Sequence, residues 1–233
     1  TRKDAISVTG TFTFRPNGNR VWSILNTLRY NRTHKGWTNR LGLPNPGLRE
    51  GLTTASKNSP ISIAELQRGD FKLLHDAIPY NQSVELNLSC PNLDKTLPWD
   101  NINIFTKDKE REWCIAKLSP LTTPEEIEYL YNKGFKQLHF SNTLPMTQFD
   151  RTSKAGGLSG KTLIPYTKRL INLVRTDFKS INIEIIAGGG VTTIQDIEEY
   201  LNEGADHISI GSGWFRPLKM RKLVNETYSI FRG

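Results

Sequence analysis

The sequence predicts an α/β protein, a (β/α)8 barrel of the TIM type, from three observations. From residue 60 onward, short β-branched apolar runs alternate with longer amphipathic segments, a pattern typical of βαβ units in a parallel sheet. The length of 233 residues suits one barrel, so we expect a single domain over residues 1–233. Polar or glycine-rich segments follow the predicted strands, which is where barrel enzymes build their sites.

Seven segments are predicted as strands of the barrel. The first is the β-rich run Ile6–Phe14, which precedes a turn at Pro16–Asn19 because Asn and Gly tolerate positive φ. The others lie at Ile61–Ala64, Val84–Leu88, Trp113–Leu118, Gln137–Ser141, Ile183–Ala187 and His207–Ile210. A closed TIM barrel has eight strands, so we expect one strand to be lacking or incomplete, unless another segment closes the gap.

Helices are predicted between most of these strands. Thr123–Lys133 begins with a capping hydroxyl, a proline and two carboxylates, and the same logic predicts a helix at Thr193–Asn202 with Thr192 or Thr193 as its cap. The other long helices are predicted at Pro165–Phe178 and Leu218–Phe231. Residues 31–60 and 91–111 lack periodicity, and we expect long functional loops there.

The composition excludes several classes of protein. A hydrophobic fraction of 36% and a charged fraction of 23% argue against disorder. The net charge of +8 comes from Lys and Arg scattered along the chain, which favours a solvated surface over a nucleic-acid-binding stripe. Cys90 and Cys114 have neither metal-ligand spacing nor a disulfide pattern, and no stretch resembles a membrane span or a signal peptide. We therefore expect a cytoplasmic protein without a metal site.

Candidate chemical groups stand at the ends of three consecutive strands. The run Asn87–Asn92 brings together two amides, a hydroxyl and the thiol of Cys90, which favours a functional cysteine over a buried one. Cys114, inside a strand pattern, is predicted as a core residue. Lys117 ends the next strand, where a buried ammonium needs an anion, unless the side chain reaches the surface. The tripeptide Ser141–Thr143 is suited to orienting a polar, planar substrate.

Three glycine-rich segments follow, at Gly156–Gly160, Gly188–Gly190 and Gly211–Gly213. Glycine lets backbone N–H groups approach a phosphate closely, and a following helix start adds a partial positive charge. Phosphate sites of β/α barrels are often built from the loops after the last two strands, where the second and third segments lie. Phosphate binding is favoured over ordinary tight turns.

Seven motifs, in matching order and approximate spacing, resemble the dihydroorotate dehydrogenase family. They are NRLGLPN at 39–45, NLSCPN at 87–92, KLSP at 117–120, SNT at 141–143, GGLSGK at 156–161, IIAGGGV at 185–191 and IGSG at 210–213. The similarity extends from about Val8 to the end of the chain, so it does not depend on any single short motif.

The resemblance implies a flavin mononucleotide (FMN) enzyme that oxidises dihydroorotate to orotate in pyrimidine biosynthesis. Cys90 matches the base that removes the C5 proton while hydride moves from C6 to flavin N5. Residues matching cofactor positions are Lys117 against the flavin ring, Gly160 near the cofactor, and Gly189, Gly190, Gly211 and Ser212 around the phosphate. Residues matching substrate positions are Asn39, Gly42, Leu43, Asn87, Asn92, Asn142 and Thr143.

The chain also departs from the family pattern. Cys90 is typical of soluble members, whereas GGLSGK and the segment Thr11–Pro16 look more like quinone-linked members, so the electron acceptor stays open. The lysine that grips the substrate carboxylate in the family is replaced in our expectation by Arg15, whose fork geometry differs from a point charge. The family's first barrel strand and its Ala-Ser-Gly turn have no counterpart in the sequence.

Two other functions are compatible with a barrel of this kind. One is a non-redox isomerase or lyase acting on a phosphorylated metabolite, with Lys117 as a substrate ligand. The other is a degenerate, non-catalytic barrel or basic binding protein, which steep salt-dependent binding to nucleic acid would reveal. For the leading function we expect a small-molecule substrate, no nucleic-acid partner and a homodimer as one candidate assembly.

Overall fold

The computed structural model describes residues 5–56, 58–88, 99, 101–149, 156–179 and 182–230. Two predicted site residues, Cys90 and Asn92, lie outside these ranges. The strands are β1 Thr9–Phe12, β2 Arg29–Asn31, β3 Gly36–Asn39, β4 Ile61–Ile63, β5 Val84–Asn87, β6 Cys114–Leu118, β7 Gln137–Phe140, β8 Leu144–Pro145, β9 Gly157–Gly160, β10 Glu184–Gly188 and β11 His207–Ser209. The α-helices are α1 Arg20–Thr27, α2 Leu48–Thr54, α3 Asp70–Ala77, α4 Pro124–Asn132, α5 Ile164–Asp177, α6 Ile194–Asn202 and α7 Pro217–Ile230.

The main sheet contains seven strands in the order β1-β4-β5-β6-β7-β10-β11. Every neighbouring pair in it is parallel. Among the described residues, these strands fall in the seven predicted segments, with β10 reaching one residue beyond its segment, and they confirm the fold class of an incomplete β/α barrel. Within the described residues, β1 and β11 form the two edges of the sheet.

Helix boundaries follow the predicted caps. Thr123 Oγ1 accepts a hydrogen bond from Glu126 N, and the Glu126 carboxylate accepts one from Thr123 N, so α4 begins with a complete capping box. Of the two caps predicted for α6, Thr193 is the one used, paired with Asp196 in the same arrangement. These caps fix where the chain leaves the ends of β6 and β10.

The sheet separates an apolar face from a polar one. In β5, Val84 and Leu86 belong to the hydrophobic core together with Phe71 and Leu74 of α3. Successive side chains of a strand point to opposite faces, so Glu85 and Asn87 point away from the helices. Both are buried all the same, which makes the inner face of the curved sheet a polar interior.

The prediction that residues 31–60 form a loop is wrong. This range contains β3 and α2, and a second sheet joins strands in the order β2-β3-β9-β8 with antiparallel pairing throughout. Gly157–Gly160, part of the first glycine-rich segment, is β9 of that sheet. Short strands rich in Gly, Asn and Thr have no period-2 apolar pattern, because this sheet is held by backbone pairing with distant segments.

The small sheet lies beside the carboxyl ends of the main strands. Its strand β8 begins directly after Thr143, which follows β7. Its strand β3 carries Trp37, whose ring lies 5.1 Å from that of Phe215 in the segment after β11. The small sheet therefore connects the ends of β7 and β11.

The predicted loop at 91–111 is also partly wrong, because Ile102–Lys107 forms a 3₁₀ helix. Its Phe105 is fully buried and packs edge-on against Phe71 of α3, with ring centroids 6.2 Å apart. Among the described residues, no helix has the length and apolar character needed to cross a membrane.

Candidate active site

The parallel sheet brings the predicted site segments to one edge. In the strand register, Lys117 lies opposite Asn87 on one side and His139 on the other. Gly188 lies opposite Ser209. Because the carboxyl ends of parallel strands meet at the same edge, the segments after β5, β6, β7, β10 and β11 emerge together.

A buried charge cluster lies on the inner face, immediately below this edge. Lys117 Nζ is 3.6 Å from Glu85 Oε1, and His139 Nδ1 is 2.7 Å from Glu85 Oε2. Ser62 Oγ donates to Glu85 Oε1 at 2.9 Å. The side chains of Glu85 and His139 are 2% and 5% exposed, whereas 23% of Lys117 reaches solvent. The anion that the sequence analysis required for Lys117 is thus supplied by the chain itself.

The pKa values of Glu85 and His139 are both lowered, but for different reasons. Burial alone would raise the pKa of Glu85, but the Lys117 ammonium and the His139 ring more than offset it and bring the pKa down to about 2. Burial lowers the pKa of His139 from its ordinary value, although Glu85 opposes this. At neutral pH the carboxylate is therefore ionised and the imidazole is neutral, so that Nδ1–H donates to Glu85.

An amide chain runs along the edge above the cluster. Asn142 Nδ2 donates to Asn87 Oδ1 at 2.8 Å, and Asn87 Nδ2 donates to Thr11 Oγ1 at 3.2 Å. The backbone N–H of Thr143 donates to Asn142 Oδ1 at 2.9 Å. Thr11 in turn lies 3.0 Å from Ser62 Oγ, which connects the amides to the charge cluster. Three of the predicted substrate residues are therefore assembled into one hydrogen-bonded row.

The two glycine turns predicted to bind phosphate lie side by side, since the ends of β10 and β11 pair. Gly189 and Gly190 have φ values of +89° and +79°, and a Cβ on Gly190 would lie 2.9 Å from Gly160 O. A Cβ on Gly211 would meet nothing within 4 Å. The backbone of Gly160 thus touches the first turn, and the second turn faces open space that a ligand could fill.

Side chains from two helices hold the first turn in place. Tyr200 of α6 donates its hydroxyl to Gly189 O at 2.6 Å, and Thr167 of α5 donates to Gly188 O at 2.9 Å. Tyr200 is fully buried. The turn is therefore held in place by hydroxyl groups from two helices.

The helix start that follows this turn differs from our expectation. The Asp196 carboxylate already accepts the backbone N–H groups of Thr192 and Thr193, so the first turn of α6 carries a negative charge of its own. Lys161 Nζ pairs with Asp196 Oδ1 at 3.0 Å. The positive group beside the turn is therefore Lys161, from the motif GGLSGK, rather than an uncapped helix end.

The segment from Asn39 to Asn45 forms a pinned loop after β3. Gly42 and Leu43 both have left-handed φ, +68° and +57°, and their carbonyl groups accept hydrogen bonds from Asn17 Nδ2 at 2.8 and 3.0 Å. Asn39 ends β3 opposite Gly157 of β9. This loop belongs to the small sheet, and Arg15, the expected carboxylate ligand, is exposed on the surface.

Of the two cysteines, only Cys114 belongs to the part of the chain that the structure describes. Cys90, the predicted catalytic base, and Asn92, a predicted substrate ligand, lie outside the described residues. Cys114 packs against the hydrophobic core, as the sequence predicts, and burial raises the pKa of its thiol to about 12. Cys114 is thus a poor nucleophile or base at neutral pH.

Sequence reasoning assigned no role to Glu85 or His139. A signal was present, because Glu85 and Asn87 alternate with apolar residues inside a buried strand, as do Lys117 and His139 in their own strands. Charged residues are almost never fully buried unless they are paired. Polar residues at inward positions of several consecutive strands therefore indicate a shared interior network.

Comparisons with known proteins agree with this architecture. A family model described as dihydroorotate dehydrogenase matches residues 25–228. The catalytic subunit of dihydroorotate dehydrogenase B (NAD(+)) from Halalkalibacterium halodurans is 30% identical over 217 residues, which cover 81% of this chain and 70% of that protein. The protein of the same name from Thermotoga petrophila is 29% identical over 197 residues, 76% of this chain and 72% of its own length.

The fold has a counterpart among solved structures. A DHODH from Eimeria tenella, solved in complex with ferulenol, superimposes with a TM-score of 0.67 at 19% identity, over 96% of this chain and 74% of that one. At that identity the likeness concerns the fold. The family model spans most of the sequence, and the chain belongs to the dihydroorotate dehydrogenase family.

Proposed function

We propose that this protein, as a single barrel domain over residues 1–233, oxidises dihydroorotate to orotate in pyrimidine biosynthesis with FMN as its cofactor. The observation that carries the proposal is the placement of Lys117, the row of amides and both glycine turns on one edge of the sheet. Membership of the family favours this redox reaction over the isomerase, lyase and non-catalytic alternatives.

FMN fits the described residues. Its phosphate would be held by the turns at Gly189, Gly190, Gly211 and Ser212, of which Gly211 faces open space and the Gly190 turn is held rigid by buried hydroxyls. Gly160 would lie next to the cofactor through its contact with that turn. The Lys117 ammonium, close to the same edge, would lie against the ring. The bound flavin would supply the hydride acceptor of the reaction.

The substrate would be oriented by hydrogen bonds. A side-chain amide carries both donor and acceptor groups, which suits a planar ring with alternating N–H and C=O groups, so we assign Asn87 and Asn142 to substrate binding. We assign the same task to Asn39, Gly42, Leu43, Asn92 and Thr143. Asn39 and its loop belong to the small sheet, so the substrate would lie between the two sheets.

Cys90 would act as the base that takes the C5 proton while the C6 hydride leaves the substrate. An unperturbed cysteine has a pKa of about 8.5, so a modest shift would give a useful thiolate fraction near neutral pH. The electron acceptor we propose is NAD(+), because the curated relatives of Thermotoga petrophila and Halalkalibacterium halodurans carry it in their names. The low use of cysteine leads us to expect the reaction in the cytoplasm.

The test begins with the absorbance spectrum of the purified protein, followed by anaerobic addition of dihydroorotate and reoxidation by NAD(+), fumarate, a quinone or an artificial dye. Flavin that bleaches with dihydroorotate supports the proposal. The Cys90→Ala variant is expected to keep flavin and lose bleaching by at least a hundredfold in rate, whereas Cys114→Ala serves as the matched control and keeps it. Tight binding of phosphate esters without flavin absorbance would favour the isomerase or lyase instead.

A further inference from the structure

Glu85 is a buried carboxylate that the proposed chemistry does not use. Its side chain is 2% exposed and lies on the polar inner face of the sheet rather than in the core. Taking a carboxylate out of water is costly unless the charge is paired and its lone pairs are satisfied. Glu85 meets both conditions, with Lys117 as its counter-charge and Ser62 and His139 as hydrogen-bond donors.

We propose that Glu85 is a positioning residue that holds the Lys117 ammonium beneath the flavin ring and, through its negative charge, lowers the reduction potential of the bound flavin. The inference rests on the proposed function. In this proposal the cluster sets both the position and the effective charge of the lysine. Its members are Glu85, His139 and Lys117.

The strand register shows how Lys117 is held. Its backbone pairs with Asn87, yet its Nζ atom is 3.6 Å from Glu85, which lies two residues nearer the start of β5. The side chain is therefore turned back toward the interior instead of extending past the strand end. The carboxylate gives this flexible, partly exposed lysine a charged partner in that direction. The Glu85→Gln side chain would keep a carbonyl oxygen that can accept a hydrogen bond from the ammonium, so the substitution removes the negative charge and leaves the lysine in place.

His139 and Ser62 fix the orientation of the carboxylate. The imidazole occupies Oε2 and the serine hydroxyl binds Oε1, so the oxygen that faces Lys117 cannot rotate away without losing a buried hydrogen bond. The other ring nitrogen of His139 lies 3.2 Å from the position that a Cβ on Gly188 would occupy. His139 therefore packs closely against β10, the strand that leads into the Gly189–Gly190 turn.

The charges decide the electrostatic effect. Lys117 contributes one positive charge and Glu85 one negative charge, while the neutral His139 contributes none. An isolated ammonium near the ring would strongly favour the anionic reduced flavin, and a carboxylate at 3.6 Å offsets part of that attraction. Removal of the negative charge should therefore make the flavin easier to reduce.

The experiment measures the flavin midpoint potential of the holoenzyme by anaerobic reductive titration against a reference dye. In Glu85→Gln we expect the equilibrium constant for flavin reduction to rise about tenfold, which is about 30 mV for a two-electron couple. The matched control is Glu184→Gln, because Glu184 also pairs with a histidine, His207 at 2.6 Å, but lies at the opposite end of its strand. That variant is expected to keep the wild-type potential.

A double-mutant cycle tests the route of the effect. In a Lys117→Met background, the buried Glu85 carboxylate loses its counter-charge and is expected to take up a proton. The Glu85→Gln change then no longer removes a negative charge and should shift the equilibrium constant by less than twofold. The Glu85→Asp variant keeps the net charge of the cluster and withdraws the carboxylate from Lys117. We expect it to fold and to raise the constant about threefold, so the inference stays testable if Glu85→Gln is unstable.

The outcomes separate the two proposals. A wild-type protein that holds no flavin overturns the proposed function and this inference with it. If the wild type is yellow and is reduced by dihydroorotate, but Glu85→Asp and Glu85→Gln keep its potential, the function stands and the role of Glu85 is refuted. A shift that persists undiminished without Lys117 also refutes it.

Discussion

Replacement of Gly190 by alanine tests whether the first glycine turn is built by close backbone approach. Gly190 has φ of +79°, and an added Cβ would lie 2.9 Å from Gly160 O, Lys161 Cα and Ile164 Cγ1. Two of these three atoms belong to the backbone and cannot move aside as a flexible side chain would. The substitution should therefore damage the turn and the β9 segment together.

The expected loss is the sum of two effects. A left-handed conformation costs an L-residue about 1–2 kcal/mol, and overpacking of this kind typically costs about 1–3 kcal/mol. We expect Gly190→Ala to lower the free energy of unfolding by roughly 2–5 kcal/mol. Urea denaturation followed by circular dichroism measures this loss, and the visible absorbance of the purified variant reports whether flavin is retained. We expect the variant to be colourless.

The matched control is Gly69→Ala at the start of α3. Gly69 has φ of +98°, but a Cβ there would meet nothing within 4 Å, so only the conformational cost of about 1–2 kcal/mol applies. It also lies outside the glycine turns, so flavin should be retained. Equal losses of stability in the two variants, or a yellow Gly190→Ala protein, would show that the turn does not depend on close approach.

Three further predictions follow from the buried polar groups. Tyr200→Phe removes the hydroxyl that donates to Gly189 O and should cost about 1–2 kcal/mol of unfolding free energy together with weaker flavin retention, measured by denaturation and by dialysis. The pKa values of the buried His139 and Glu85 are lower in the folded than in the unfolded protein, so the free energy of unfolding should decrease as the pH falls below 6.5 and again between pH 4.5 and about 2. The lower range is worth roughly 3 kcal/mol and should become flat in Glu85→Gln. Urea denaturation at successive pH values measures both effects. Iodoacetamide at pH 8 should leave Cys114 unmodified in the native protein and modify it in urea, as peptide mass spectrometry would show; equal modification rates would contradict its burial.

The sequence predicted the main sheet and its helices well, for a physical reason. Strands such as Glu184–Gly188 are buried along most of their length, so the sequence shows a short apolar run there, Ile185–Ala187. Caps such as Thr123 and Thr193 mark helix starts by chemistry that acts over three residues. Both signals are local. The predicted bounds of α4 and α6 therefore differ from the observed ones by no more than one residue.

The small sheet and the charge cluster could not be predicted in the same way. Gly36–Asn39 pairs with Gly157–Gly160, about 120 residues farther along the chain, through backbone hydrogen bonds that leave no side-chain pattern. The contact between Glu85 and His139 is set by which strands become neighbours in the sheet. The alternation within each strand indicates an inward position for these residues, but only the register of β5, β6 and β7 brings the charges together.

The position of this cluster argues for function rather than stability. Replacement of a buried ion pair by well-packed apolar residues is often neutral or stabilising, by about 1–4 kcal/mol, so stability alone gives little reason for Glu85 to lie opposite Lys117. The sheet instead carries buried polar residues on its inner face and its apolar residues against the helices. A protein that needs an ammonium at the edge must accept a counter-charge beneath it, and the hydrogen bonds from Ser62 and His139 make that arrangement rigid. The buried polar residues thus serve mainly to position Lys117 at the edge where the site lies.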